Sequence, residues 1–203
     1  SSEGSPPSLT LPAVPRQRAK LGAPSGWGRG MCGIAGIVGA GDWLGTVEAM
    51  TETLRHRGPD GGGTWSVSGV ALGHRRLAIV DLSPAGHQPM HFGDYTITYN
   101  GEIYNFRELR RELRRELDGP FHSDSDTEVI LHLYAKYGPA CLERLAGMFA
   151  FAIWDERKRE LFVARDRLGI KPFFYLHRPG LFAFASELKA LAGLSSRRVD
   201  QTA

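Results

Sequence analysis

Cys32 directly follows a methionine and heads the apolar run Gly33-Ile34-Ala35-Gly36-Ile37-Val38, which Gly39 closes. A chain that begins at Cys32 carries a thiol and an α-amine on the same residue. An α-amine with an ordinary pKa of about 7.7–8.0 is a usable base near neutrality, so nucleophile and base would come from one amino acid. The competing reading makes Cys32 a small buried hydrophobe at a strand start. The second cysteine, Cys141, lies between Ala140 and Leu142 and reads as core filling. Neither cysteine belongs to a Cys-x-x-Cys pair or has a histidine at ligand spacing, so no structural zinc is expected.

Elements must hold these groups in place. The β-branched apolar pattern over 33–38 predicts a buried strand. Asp42 can cap a helix whose inward face is Leu44, Val47, Met50 and Leu54. The stretch 55–63, Arg-His-Arg-Gly-Pro-Asp-Gly-Gly-Gly, reads as a turn-rich loop of the kind that carries function. Residues 64–67, 70–73 and 77–80 read as short strands and 83–89 as another loop. A strand over 95–99 runs into Asn100-Gly101, a strong turn signal. A helix from Phe106 places Phe106, Leu109, Leu113 and Leu117 on one side, and Gly119-Pro120 ends it. Its alternating Arg and Glu describe a solvated, salt-bridged face. Residues 127–136 predict a helix N-capped by Asp126, and Pro139 can start another that carries Cys141, Leu142 and Leu145. Strands at 148–154, 161–165, 173–175 and 182–185 and a short helix at 187–191 complete the order. Strands at both ends with helices between them argue for an α+β domain with mainly antiparallel sheets. No Gly-x-Gly-x-x-Gly or P-loop pattern suggests a nucleotide fold.

Composition sets the outer bounds. The chain has 203 residues, 42% of them hydrophobic, 23% charged, with a formal net charge of +3. That describes one globular domain plus a tail. No apolar run approaches membrane-spanning length, and no basic stripe with interleaved aromatics argues for nucleic acid. Two cysteines are too few for a disulfide framework and suggest a reducing compartment, hence a cytoplasmic location. Residues 1–30 mix Ser, Pro, Gly and Arg without periodicity and are expected to be disordered. They read as a transit or removable segment, or as sequence ahead of a true start at Met31. The last reading is the simplest, because initiation at Met31 followed by methionine removal exposes Cys32.

Eight motifs in order resemble one family: MCGIAG at 31–36, HRGPDG at 56–61, LGHRRLAIVDLS at 72–83, NGEIYNF at 100–106, SDTEVI at 125–130, GMFAFAIWD at 147–155, ARDRLGIKPFFY at 164–175 and SELKAL at 186–191. Together they resemble the glutaminase half of glutamine-hydrolysing asparagine synthetases, a class II (N-terminal nucleophile) glutamine amidotransferase. The resemblance implies a four-layer α/β/β/α sandwich with two mainly antiparallel sheets. It divides the chain into an extension (1–31), the amidotransferase domain (32–191) and the start of a linker (192–203) toward a synthetase domain.

It also implies the chemistry. Cys32 attacks the carboxamide of L-glutamine with its own α-amine assisting, and ammonia leaves through a γ-glutamyl thioester. Attack creates an oxyanion that needs prepositioned donors. The Asn100 amide and the Gly101 N–H match the family's oxyanion hole. Arg76 matches its carboxylate clamp, for which a guanidinium fork is suited, while Arg75 is assigned a surface or structural role. Leu77, Ala78, Ile79 and Val80 continue that strand with backbone contacts, and Glu102 and Asp126 match the acids that receive the α-ammonium. His56, His74 and His87 raise a Cys-His reading, but the Gly-x-Cys-x-Gly elbow of the amidotransferases that use it is missing, so all three are assigned to loop structure.

Two departures qualify this picture. Cys32 is internal in the sequence, so activity is expected to require translation from Met31 or removal of residues 1–31. The synthetase half, with its Ser-Gly-Gly-x-Asp-Ser pyrophosphate loop, does not follow residue 191. No cofactor is therefore expected in this domain, and ATP and magnesium belong to a synthetase domain acting in cis or in trans. A homodimer is allowed. The alternative function is a catalytically idle glutamine-binding or interaction module.

Overall fold

The structure, a computed structural model, describes residues 31–77, 86–116 and 121–194, together with the backbone of 8–10. Two five-stranded sheets lie face to face. One has the order β1 (Ser8–Thr10), β8 (Glu160–Arg165), β7 (Gly147–Asp155), β6 (Tyr95–Ile103), β5 (Met90–Phe92). The other runs β3 (Gly61–Val67), β4 (Val70–Arg76), β2 (Gly33–Gly39), β10 (Leu181–Ala185), β9 (Phe174–Arg178). Every pairing is antiparallel except β1 with β8.

Period-two alternation sorts the strand residues into layers. Ile34, Val38, Val70, Leu72, Ala150, Ala152, Trp154, Phe182 and Phe184 fill the space between the sheets. Ala35, Ile37 and Ala71 turn outward onto α1 (Leu44–Thr53) through Val47, Met50 and Leu54. On the other side Ile97, Tyr99, Phe149, Phe151 and Phe162 pack beneath α2 (Phe106–Glu116) and α3 (Asp126–Tyr137). The result is the expected α+β, α/β/β/α sandwich. Cys141 sits fully buried in the α2–α3 layer, in a 3-10 helix over Gly138–Glu143, where burial pushes its thiol up to about 12.

Several local expectations change. Asn100-Gly101 is not a turn: β6 continues through it, with Asn100 opposite Ala150 and Gly101 opposite Phe149. Glycine is required there by close approach, since a Cβ at 101 would stand 2.3 Å from the Met148 carbonyl oxygen. Ser125 rather than Asp126 caps α3, accepting the Thr127 N–H at 3.0 Å, and Asp126 is the first helical residue. Gly61-Gly62-Gly63 belong to β3 instead of the preceding loop, and β4 runs on to Arg76. In the segment expected to lack order, Ser8–Thr10 pair in parallel with residues 160–162. Expectations for residues 1–7, 11–30, 78–85, 117–120 and 195–203, among them Ala78, Ile79, Val80, Leu117 and the linker, lie outside the described residues.

Candidate active site

Where β2 begins, the sheets part around a cavity of about 140 Å³, lined among others by Cys32, His74, Arg76, Leu77, Asn100, Gly101, Glu102, Asp126 and Lys171. Every catalytic and glutamine-binding residue expected within the described segments is on that wall. Cys32 heads β2, and its Sγ is 3.6 Å from the Leu77 carbonyl oxygen and accepts the Leu77 N–H at 3.4 Å. Burial pushes the Cys32 thiol above its ordinary value. The Leu77 N–H, Lys171 and Arg76 pull it down, and Asp126 pushes it further up.

Strand geometry aims the two expected oxyanion donors. The β6 residues alternate, so Asn100 faces the inter-sheet side, where it is 1% exposed and its Nδ2 has no hydrogen-bond partner among the described residues. An amide N–H buried without a partner costs about 1–3 kcal/mol, so such a group calls for an incoming acceptor. Among the described residues β5 pairs with β6 no further than Ile97, and no strand covers that edge beyond it. Along that edge the Tyr99 N–H donates to Gln88 Oε1 at 2.6 Å and the Ile103 N–H to Asp126 Oδ2 at 3.0 Å. Backbone alternation turns the intervening Gly101 N–H the same way, into the gap between Gln88 and Asp126.

Charged groups of both signs ring the thiol. Arg76 leaves the end of β4 toward the cavity, while Arg75, one residue earlier, faces α1 and pairs with Glu52. Asp126 opens α3 with Oδ2 held by the Tyr99 hydroxyl at 2.7 Å; burial raises its carboxyl, and the bonds from Ile103 and Tyr99 oppose that rise. Glu102 is exposed at the rim. Among the described residues, no group of three or more His, Cys, Asp or Glu is arranged to hold a metal ion.

The histidines divide. His56 bonds Glu187 at the surface and His87 is exposed in the loop before β5. His74 is not a loop residue: it lies on β4, 1% exposed, with Nε2 at 3.1 Å from the Tyr99 carbonyl oxygen. Burial lowers its pKa to about 3, which makes its imidazole too weak a base to take a thiol proton near neutrality.

Sequence reasoning missed two residues. Arg57 is buried beneath Cys32, with Nε donating to the Cys32 carbonyl at 3.1 Å and Nη1 to Glu187 at 3.1 Å. It fixes the backbone of Cys32 from the HRGPDG segment, with Glu187 of SELKAL behind it. Lys171 projects from ARDRLGIKPFFY with Nζ 3.2 Å from Met31 Sδ. Both lie inside the motifs, but their side-chain directions depend on contacts spanning 25 and 140 residues.

Two stacked antiparallel sheets between helices, with a thiol at the head of a central strand and buried amide donors across from it, define an amidotransferase fold of the N-terminal nucleophile type. The comparisons agree. The glutamine amidotransferase domain family matches residues 31–203, and the chain belongs to that family. It is 48% identical over 182 residues to asparagine synthetase [glutamine-hydrolyzing] 3 of Bacillus subtilis, which covers 85% of this chain and 29% of that protein. It is 45% identical over 173 residues to a putative asparagine synthetase [glutamine-hydrolyzing] of Mycobacterium tuberculosis, covering 80% of this chain and 26% of the relative. The chain thus spans less than a third of the length of these relatives. Among solved structures, glutamine phosphoribosylpyrophosphate amidotransferase from B. subtilis superposes with a TM-score of 0.70 at 25% identity, over 79% of this chain and 43% of that one.

Proposed function

We propose that the cavity is a glutaminase site that releases ammonia from L-glutamine for a synthetase domain, and that the acceptor reaction is asparagine formation from aspartate and ATP. The observation that carries this reading is the unpartnered, buried Asn100 amide in the same cavity as the Cys32 thiol. Cys32 Sγ attacks the side-chain carbonyl carbon and its proton passes to the α-amine of a chain that starts at Cys32. The carbonyl π pair moves onto oxygen, where the Asn100 amide and the Gly101 N–H receive the negative charge. The C–N bond then breaks as the proton reaches the leaving nitrogen, and water resolves the thioester to glutamate. Arg76 takes the substrate α-carboxylate; Asp126 and Glu102 take the α-ammonium. One guanidinium and two carboxylates on the cavity wall suit the two charges of a zwitterion.

Under this reading residues 32–191 form the amidotransferase unit, 1–31 a removable extension, and 192–203 the start of a linker. The unit needs no cofactor, and ATP and magnesium serve the synthetase half. Two free thiols suit a reducing, cytoplasmic setting. Among the described residues no helix is long and apolar enough to cross a membrane.

The test is ammonia release from glutamine by three proteins: one starting at Cys32, the same chain with Cys32→Ala, and one retaining Met31 on the Cys32 nitrogen. Release by the first alone is expected. Equal turnover by the Met31-bearing chain would remove the α-amine from the mechanism. Glutamine binding without ammonia from the Cys32-started protein would leave a binding module instead.

A further inference from the structure

Lys171 has no task in the reaction above, and its surroundings are unusual for a lysine. It is 6% exposed on the cavity wall. Its backbone is pinned twice, with its N–H on Asp166 Oδ2 at 3.0 Å and its carbonyl oxygen receiving Arg165 Nε at 2.6 Å. Among the described residues the acceptor of its ammonium is the Met31 thioether, 3.2 Å away. Thioether sulfur is a weak acceptor, so the contact with Met31 offsets little of the cost of burying this ammonium. Met31 is the residue bonded to the Cys32 nitrogen. Once it is gone, the cation has lost its acceptor and faces a cavity in which negative charge develops.

We infer that Lys171 is a positioning residue for the nucleophile: its fixed ammonium biases Cys32 toward the thiolate and the new α-amine toward its unprotonated form. This rests on the glutaminase reading of the cavity. A neighbouring cation favours the anionic thiolate and disfavours a second cation, so both equilibria move in the direction that attack requires. Lys171 donates and accepts no proton itself.

The other charges around the pair are accounted for. Arg76 on β4 acts on Cys32 in the same sense as Lys171, and Asp126 on α3 in the opposite one. Burial lowers the Lys171 pKa; Arg57 adds to that, while Cys32, Glu102 and Asp166 oppose it. His74 remains neutral near pH 7. Removing the Lys171 charge therefore raises the pH at which Cys32 becomes reactive.

The experiment uses the Cys32-started protein and compares wild type, Lys171→Met and Lys171→Arg. Two pH profiles are read: kcat/KM for ammonia release from glutamine, and the rate of Cys32 alkylation by iodoacetamide. In Lys171→Met both midpoints should move up by about one pH unit, which is about tenfold in rate on the acid side. Lys171→Arg should keep both near the wild-type position. Unmoved midpoints in Lys171→Met, even with a uniformly lower rate, would overturn the inference, as would an arginine variant that shifts like methionine. Should Lys171→Met fail to fold, Lys171→Gln removes the same charge and carries the same expectation. No ammonia release from the Cys32-started wild type would instead sink the glutaminase reading, while the alkylation profile would still judge Lys171.

Discussion

Burial holds the Cys32 thiol above its ordinary range, so thiolate is scarce near neutrality and the proton must leave during attack. That requirement favours an adjacent base over a preformed ion, and the buried His74 is too weak to be it. Under the glutaminase reading Asn100→Ala removes an oxyanion donor and should lower kcat for ammonia release by about 10²- to 10³-fold with KM little changed, because such a contact strengthens in the transition state. Arg76→Lys should act on the other parameter. A point charge replaces a planar fork, so KM for glutamine should rise about tenfold with kcat largely preserved, as initial-rate kinetics would show. An Arg76→Lys enzyme with unchanged KM would dissociate this guanidinium from the carboxylate. Cys32, Asn100, Gly101, Arg76, Glu102 and Asp126 were all legible as motif residues. Arg57 and Lys171 were visible as letters without directions, since nothing local says that an arginine after α1 reaches back to the Cys32 carbonyl.

At the scale of elements, α3 does two jobs with its first residues. Ser125 caps it and leaves Asp126 free to tie Tyr99 and the β6 edge together. Glu128 anchors the approach: burial works against its ionised form, yet the His122 and Ser123 N–H groups and the Ser123 hydroxyl together hold its carboxyl below the usual range. Ser125→Ala should lower stability by about 1 kcal/mol in urea unfolding and, by loosening Asp126, raise KM for glutamine. The misread cap shows why such boundaries resist sequence reading: Ser125 and Asp126 are both good capping types, and the backbone entry angle chooses between them. β6 makes the same point. Asn-Gly favours a turn locally, but pairing over the full length of β7 outweighs that preference, and the glycine serves to admit the Met148 carbonyl.

Across the whole molecule, the sheets are joined by an apolar core away from the site and by polar contacts beside it. His74 bonds the Tyr99 carbonyl oxygen, and Thr98 Oγ1 donates to the Gly73 carbonyl at 3.0 Å, each reaching from one sheet to the other. His74 is lowered to about 3 in the fold, whereas an unfolded histidine titrates near 6.5. Between those values the unfolded chain binds the extra proton, so stability should fall as pH drops from about 6.5 toward 3. His91 and His132 are lowered too and act in the same sense. His74→Gln should therefore start less stable at pH 7 and lose less on going to pH 4, read as urea midpoints. An equally steep decline in the variant would take His74 out of the acid response.

The sequence by itself determined the class of fold, the order of most elements and the motif residues that meet in the cavity, because periodicity and motif residues are local properties of the chain. Tertiary structure alone decided that Asn100-Gly101 is strand, that His74 is interior, that the Gly101 N–H points away from β7, that Arg57 reaches the Cys32 carbonyl, and that Lys171 shares the cavity wall with Cys32. These are matters of which surfaces meet, and contacts spanning up to 140 residues have no counterpart in local spacing.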